Sequence, residues 1–268
     1  MRYILYIILF FLICLSCEKE INLDLDDQSG KVVIEGNITD QPGPYFVKLS
    51  KSVSFTSPNF YPGIDNAKVS ISDNIGVTEI LTNTGNGIYR TSSLVGESGK
   101  TYTLHVETEG KLYTAQSTMP YAVAFEGLEQ DFFMIGGKKS YTLLPIFNDP
   151  PSLGDRYLFS FKVNNNPKSI FQVFSDNINN GMPNQRPLIM PNDDRNSNDI
   201  KVVQGDSVHV EMQCIDQSIY TYYSALLKLS GGGIGGGVTP SNPPGNITSG
   251  ALGYFSAHTI RKRSVVIQ

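Results

Sequence analysis

One stretch of this chain spaces oxygen-bearing side chains as a hard-cation site would. In "DRNSND", Asp194, Asn196 and Asn198 occupy alternate positions, like the first three ligands of a D-x-N-x-N calcium loop. Asp199 stands where that loop needs a glycine, and Gly205 stands where it needs a bidentate Glu. The residues therefore read as a solvated polar loop, and no metal is expected. The three histidines, His105, His209 and His258, lie in separate alternating segments, without a second His or a Cys at ligand spacing. Each is expected on a strand face with ordinary hydrogen bonds. "GGGIGGG" has no strand, lysine and helix arranged around it as a phosphate cradle requires, so a flexible connector is expected. No G-x-S-x-G elbow occurs, and Cys214 in "VHVEMQCID" reads as a small core residue on a strand. With no catalytic cluster and no cofactor motif, the chain is not expected to be an enzyme.

The most specific chemical signal is at the other end. "MRY" is followed by "ILYIILFFLICL", an apolar run of about a dozen residues, which is short for a membrane span. It fits the apolar core of a secretory signal peptide over residues 1–16. Leu15-Ser16-Cys17 then resembles the bacterial lipobox, although Cys14 occupies a position where Leu is usual. That resemblance implies acylation of the Cys17 thiol and cleavage just before it. Several acyl chains, at about 0.8 kcal/mol per buried CH₂, hold a protein firmly on a membrane. The acidic residues after Cys17 resemble the export tag of lipoproteins displayed on the outer surface of some Gram-negative bacteria. Residues 17–30 are then a polar tether.

These elements must be positioned by a body of ordinary size. The chain has 268 residues and a formal net charge of −4, with three cysteines. That length buries about 70–75% of the unfolded surface without disulfides or metals. The absence of a basic stripe argues against nucleic acid. The polar positions are rich in Ser, Thr, Asn and Gly rather than Lys and Glu, and Tyr and Phe are frequent, a composition for strands and turns. From Lys31 the apolar residues alternate. "KTYTLHVETEGKLYTAQSTM" predicts a hairpin turning at Glu109-Gly110, and "FEGLEQDFFMI", "GGKK", "SYTLLPIF" a second. "QSIYTYYSALLKLS" is the one good helical pattern, at about residues 217–229. The expected fold is mostly β. A β-sandwich occupies residues 31–120, Pro120 marks a boundary, and residues 121–268 form a second β-rich domain with that helix. Residues 176–199 read as one long irregular loop.

The stretch from Asn66 onward, "NAKVSISD" through "GKTYTLHVETEGKLYTA", resembles the transthyretin-like and immunoglobulin-like repeats of bacterial surface proteins. "TPSNPPGNITSGALGYFSA", "SCEKEINLDLDD" and "VIEGNITDQPGPYFVKLSKS" are similar to signatures of a family of Gram-negative surface lipoproteins, domain of unknown function 4249. Members of that family are often encoded beside TonB-dependent outer-membrane receptors. The resemblance implies an outer-membrane, lipid-anchored protein facing the cell exterior. Its expected role is as an accessory or binding component beside such a β-barrel receptor in nutrient uptake. The alternatives are a structural or adhesive surface protein and, lower, a secreted hydrolase. Loops 176–199 and 231–249 are the expected partner-facing or ligand-facing elements, since a rigid scaffold positions loops that vary freely. Their candidate residues are Asn192, Asp193, Asp194, Asn196, Asn198, Asp199, Asn242 and Asn246; the alternative for the second loop is that Asn242, Pro243, Pro244 and Asn246 lock the last strands onto the helix.

Overall fold

The computed structural model describes residues 29–54, 60–177, 180–191, 200–230 and 242–268. The chain is mostly β, and it has one helix among the described residues. The first half forms β1 (Val32–Thr39), β2 (Phe46–Lys51), β3 (Lys68–Asp73), β4 (Thr78–Ile80), β5 (Thr82–Asn83), β6 (Ile88–Arg90), β7 (Thr101–Thr108) and β8 (Lys111–Thr118). The second half forms β9 (Gly127–Ile135), β10 (Lys138–Ile146), β11 (Arg156–Val163), β12 (Ile170–Ser175), β13 (Leu188–Ile189), β14 (Ser207–Cys214), α1 (Gln217–Ser230) and β15 (Leu252–Val266).

Alternation decides which face each strand buries. In β1 every second residue is buried, so Val32, Ile34 and Ile38 enter the core. In β7, Tyr102, Leu104 and Val106 do the same from the opposite layer. The β7–β8 turn is made by Glu109 and Gly110, both at positive φ (53° and 72°), the geometry of a two-residue hairpin turn. The first core therefore lies between β1, β2 and β6 on one side and the sheet β4-β3-β7-β8 on the other. The second core is phenylalanine-rich. Phe159 and Phe161 of β11 and Val208, Val210 and Met212 of β14 pack toward Leu143 of β10 and Leu188 of β13.

The two cores share one strand. β15 runs parallel to β1 from Val33↔Leu252 to Thr39↔His258, and then antiparallel to β14 from Cys214↔Thr259 to Ser207↔Val266. Phe255 and Ala257 belong to the first core and Ile267, just past the strand, to the second. One eight-stranded sheet, ordered β12-β11-β14-β15-β1-β2-β6-β5, thus supplies one layer of each sandwich. The sequence boundary at Pro120 separates the two apolar clusters everywhere except here. Residues 252–257 are late in the chain yet complete the first sandwich.

Segment 176–199 is not one irregular loop. Within it β13 pairs with β10, Leu188 and Met190 are fully buried, and the Asn184 amide donates to the carbonyl of Pro145 at 2.8 Å. A run of Asn and Pro hid two core side chains from a reading by composition. Helix α1 covers the outer face of β11, β12 and β15 with Ile219 and Tyr223 against Leu158 and Ile215. Asp216 caps it, accepting from the Ile219 N–H at 3.0 Å.

Two glycines make the shared strand fit. Gly36 lies opposite Phe255, and a Cβ there would meet the Phe255 ring at 3.0 Å. Gly253 has φ +95°, and a Cβ would lie 2.1 Å from the Ile34 carbonyl oxygen. Gly253→Ala is expected to cost about 3 kcal/mol or more, through strain and loss of the β1–β15 register. Gly205→Ala, at φ +93° with open space around it, is expected to cost only about 1 kcal/mol. Urea unfolding of both variants checks this, and equal losses would contradict it.

Candidate functional site

The described residues bring chemistry together at two places. The first is a group of carboxylates. Asp149 follows β10, Asp155 precedes β11 and Asp176 follows β12, so all three stand at one end of the second sandwich. Their oxygen atoms lie within 4.8 Å of one another, with Asp149 and Asp176 buried. Three oxygen donors at that spacing are the right chemistry for a hard cation. Their hydrogen bonds show how much of that capacity is in use. Asp176 accepts from the N–H groups of Gly154 and Asp155 and from Arg156, the last at 2.6 Å. Asp149 accepts from the Tyr157 hydroxyl and, at 3.3 Å, from the Gly181 N–H. Asp155 accepts, among the described residues, only from Ser152. The cluster therefore staples the Pro-rich loop 149–155 to the end of β12. The cleft beside Asp149, Asp176 and Arg186 holds about 10 Å³, room for about one water.

The protonation tendencies follow the partners. Burial would raise the pKa of Asp176, but the two N–H donors and Arg156 outweigh it and hold the carboxyl below its usual range. For Asp155, burial raises the pKa, and the charges of Asp149 and Asp176 add to it against the Ser152 hydrogen bond. Burial, reinforced by Asp149, pushes the Tyr157 phenol up.

The second place is the waist, where β15 changes partners. Arg261 reaches Asp40 at 2.6 Å, and Asp40 also accepts from the Ile260 N–H at 2.9 Å. Ser117 of β8 donates to Asp216 and accepts from the Ala257 N–H at 2.8 Å, tying helix, β8 and β15 together. His258 is buried, with Nδ1 2.9 Å from the Ser256 hydroxyl. Burial lowers its pKa from 6.5 to about 4, with Glu211 and Asp40 offsetting part of the effect. The imidazole is neutral near pH 7. His105 lies on β7 and His209 on β14, with His209 2.7 Å from Ser264 across the strands. Cys214 is buried and its thiol is pushed up by desolvation, in keeping with a core residue.

Of the residues singled out in the sequence, Cys17, Asn192, Asp193, Asp194, Asn196, Asn198 and Asp199 lie outside the described residues. The described ends of their loop, Pro191 and Ile200, stand close together, since the Val202 N–H donates to the Pro191 carbonyl at 3.2 Å. Asn242 is exposed. Asn246, expected to face a partner, is spent on the backbone. It donates to the carbonyls of Gln116 and Phe255 and accepts from the Phe255 N–H. It locks β15 onto β8. The aspartate cluster was not found from the sequence. Its members are 27 positions apart at the extremes, and only the pairing of β11 with β12 brings them together.

A family model described as "Domain of unknown function (DUF4249)" matches residues 18–264. No curated protein matches the chain in sequence. Among solved structures, a segment of two fibronectin type-III domains from chicken tenascin is similar over 70% of this chain and 91% of its own. The identity is 14% and the TM-score 0.22, too loose a superposition to carry an argument.

The two carboxylates should respond oppositely to neutralisation. Asp176→Asn is expected to destabilise the protein by about 1–3 kcal/mol, since it weakens three hydrogen bonds to a buried acceptor. Asp155→Asn is expected to leave stability at pH 7 unchanged or raised, because its charge is disfavoured where it sits. Thermal melts at pH 7 decide between these outcomes and a uniform loss.

His258 gives a pH dependence. Its folded pKa lies below its unfolded value, so below pH 6.5 the unfolded chain takes up a proton that the folded chain refuses. Stability is therefore lost as pH falls from 6.5 to about 4, by about 3 kcal/mol from this group. His258→Asn is expected to flatten the stability curve across that window, and an unchanged slope in denaturant titrations would exclude the assignment.

Proposed function

The chain belongs to the DUF4249 family, which spans it almost end to end, and on that footing we propose that it is a lipid-anchored surface protein that presents a binding pole to an outer-membrane β-barrel receptor. The apolar run before Cys17 and the polar residues after it support the anchor. The observation that carries the presenting role is the polarity of the fold. The described chain enters beside Ser52, where the Gly30 N–H donates to the Ser52 carbonyl at 2.8 Å, and β1 starts there against the first residue of β15. β15 then leads away for 15 residues, about 45 Å at the usual rise per residue. At its far end stand the β9–β10 hairpin and the two ends of the 192–199 segment, since the Met190 N–H donates to Tyr141 of β10. The double sandwich thus separates the entry of the tether from the first candidate loop, whereas the described end of the second, residues 242–249, lies beside the entry, where Ser249 and Gly250 line one cleft with Ser29 and Gly30.

A second reading, a structural spacer or adhesin, draws on the same stack of two sandwiches. The readings differ in whether a receptor is held. The test is a pull-down of the mature protein in mild detergent, with mass spectrometry of its N-terminus. The expected results are an acylated Cys17 as first residue, loss of Cys17→Ala from the membrane fraction, and a large β-barrel among the co-purified proteins. An unmodified N-terminus cut elsewhere overturns the anchor. Recovery of the anchored protein without a barrel favours the spacer.

A further inference from the structure

The tip of the β9–β10 hairpin leaves apolar side chains in water on both of its faces. Phe132, Phe133, Met134 and Ile135 are between 42% and 58% exposed. The pairs Phe132↔Tyr141 and Met134↔Lys139 put one pair of apolar residues on one face, and Phe133↔Ser140 and Ile135↔Lys138 put the other pair on the opposite face. The hairpin also projects. The Glu126 carbonyl accepts from Arg263 at 3.2 Å, and further along Gln130 bonds both the Val266 carbonyl and the Gln268 N–H. β9 therefore climbs alongside β15, and its last four residues lie beyond the end of that strand.

Three kinds of cover are conceivable, and the side chains separate them. An added strand needs a free edge, but Gln130 closes the base of this one. The carboxylate of Asp131 accepts from the Phe132 N–H at 2.7 Å and occupies the next donor. A groove on a partner would cover one face and leave the other wet. A lipid surface covers both. Within the hairpin itself the charges agree with it. Residues 132–148 contain no acidic side chain, and Lys138 and Lys139 follow the Gly136-Gly137 turn directly. The acidic residues of β9, Glu129 and Asp131, lie below the tip. Lys139 Nζ sits 4.3 Å from the centre of the Phe132 ring, and with Lys201 it lines the adjoining cleft. Ammonium groups on flexible stems can stay at phosphate depth while the aromatic rings enter the acyl boundary.

We propose that the tip of the β9–β10 hairpin is a lipid-docking element that inserts into an anionic membrane surface. It is a second contact, at the pole opposite the tether, and it does not depend on the anchor. Both contacts together would lay the body along the surface.

Hydrogen exchange on the mature full-length protein tests this, with vesicles of phosphatidylcholine alone or mixed equally with phosphatidylglycerol. Exchange of residues 132–139 is expected to slow by about ten-fold or more on the anionic vesicles only. The double variant Lys138→Glu/Lys139→Glu is expected to lose that slowing while its other segments exchange as before. Exchange at the tip that is identical on both vesicles and in water overturns the proposal. So does slowing that needs a raised protein concentration rather than lipid, which would indicate a second copy. Slowing only on addition of a purified receptor would overturn it in favour of a protein partner. Failure of the anchor shows separately, as protein that does not float with phosphatidylcholine vesicles.

Discussion

Everything in this molecule hangs on the parallel pairing of β1 with β15. Parallel strands need a long crossover, and here the crossover is nearly the whole chain, from Thr39 to Leu252. The pairing brings the last strand against the first and closes the first sandwich. The same strand then continues past the end of β1 and becomes an interior strand of the second. Among the described residues, the segment leading into this strand adds further ties to β8, through the Ala115↔Ile247 bridge and the Thr114–Thr248 hydrogen bonds.

The change of partners within β15 creates a problem that polar side chains solve. Between His258 and Thr259 the strand leaves one neighbour for another, so backbone groups near the switch lack a continuous ladder. Asp40 takes the Ile260 N–H and holds Arg261, while Ser117 takes the Ala257 N–H and is itself bonded to Asp216. Asn246 satisfies both backbone groups of Phe255. Buried polar networks of this kind fix one geometry, because leaving any member unpaired costs more than the bond returns. The waist thereby ties the two sandwiches together through side chains of both.

The carboxylate cluster illustrates how a group with metal-like composition can be absorbed by a fold. Five donors from the surrounding loop and strand converge on Asp149 and Asp176. Their effect is to hold a loop containing Pro150 and Pro151, which has few backbone donors of its own, against β12. Asp155 accepts the fewest of these bonds among the described residues, and its disfavoured charge follows from burial and from the two carboxylates beside it.

Local pattern in the sequence determined the strands, both hairpins and the helix, because alternation and 3.6-residue spacing are properties of neighbouring residues. The turn at Glu109-Gly110 and the helix at "QSIYTYYSALLKLS" were legible for that reason. The apolar run before Cys17 is likewise local, and it alone suggests an address. What the sequence could not carry is anything that depends on pairing across distance. It placed Leu188 and Met190 in a loop, since two apolar residues among Asn and Pro form no period, and only β10 makes them core. It left Asn246 open between a binding residue and a lock on the last strands, because an amide cannot announce that Phe255 and Gln116 will consume it. It divided the chain at Pro120 without seeing that residues 252–257 cross the division. Register between strands far apart in sequence is set by the fit of whole layers, Phe255 over Gly36 among them, and that fit exists only once the chain has folded.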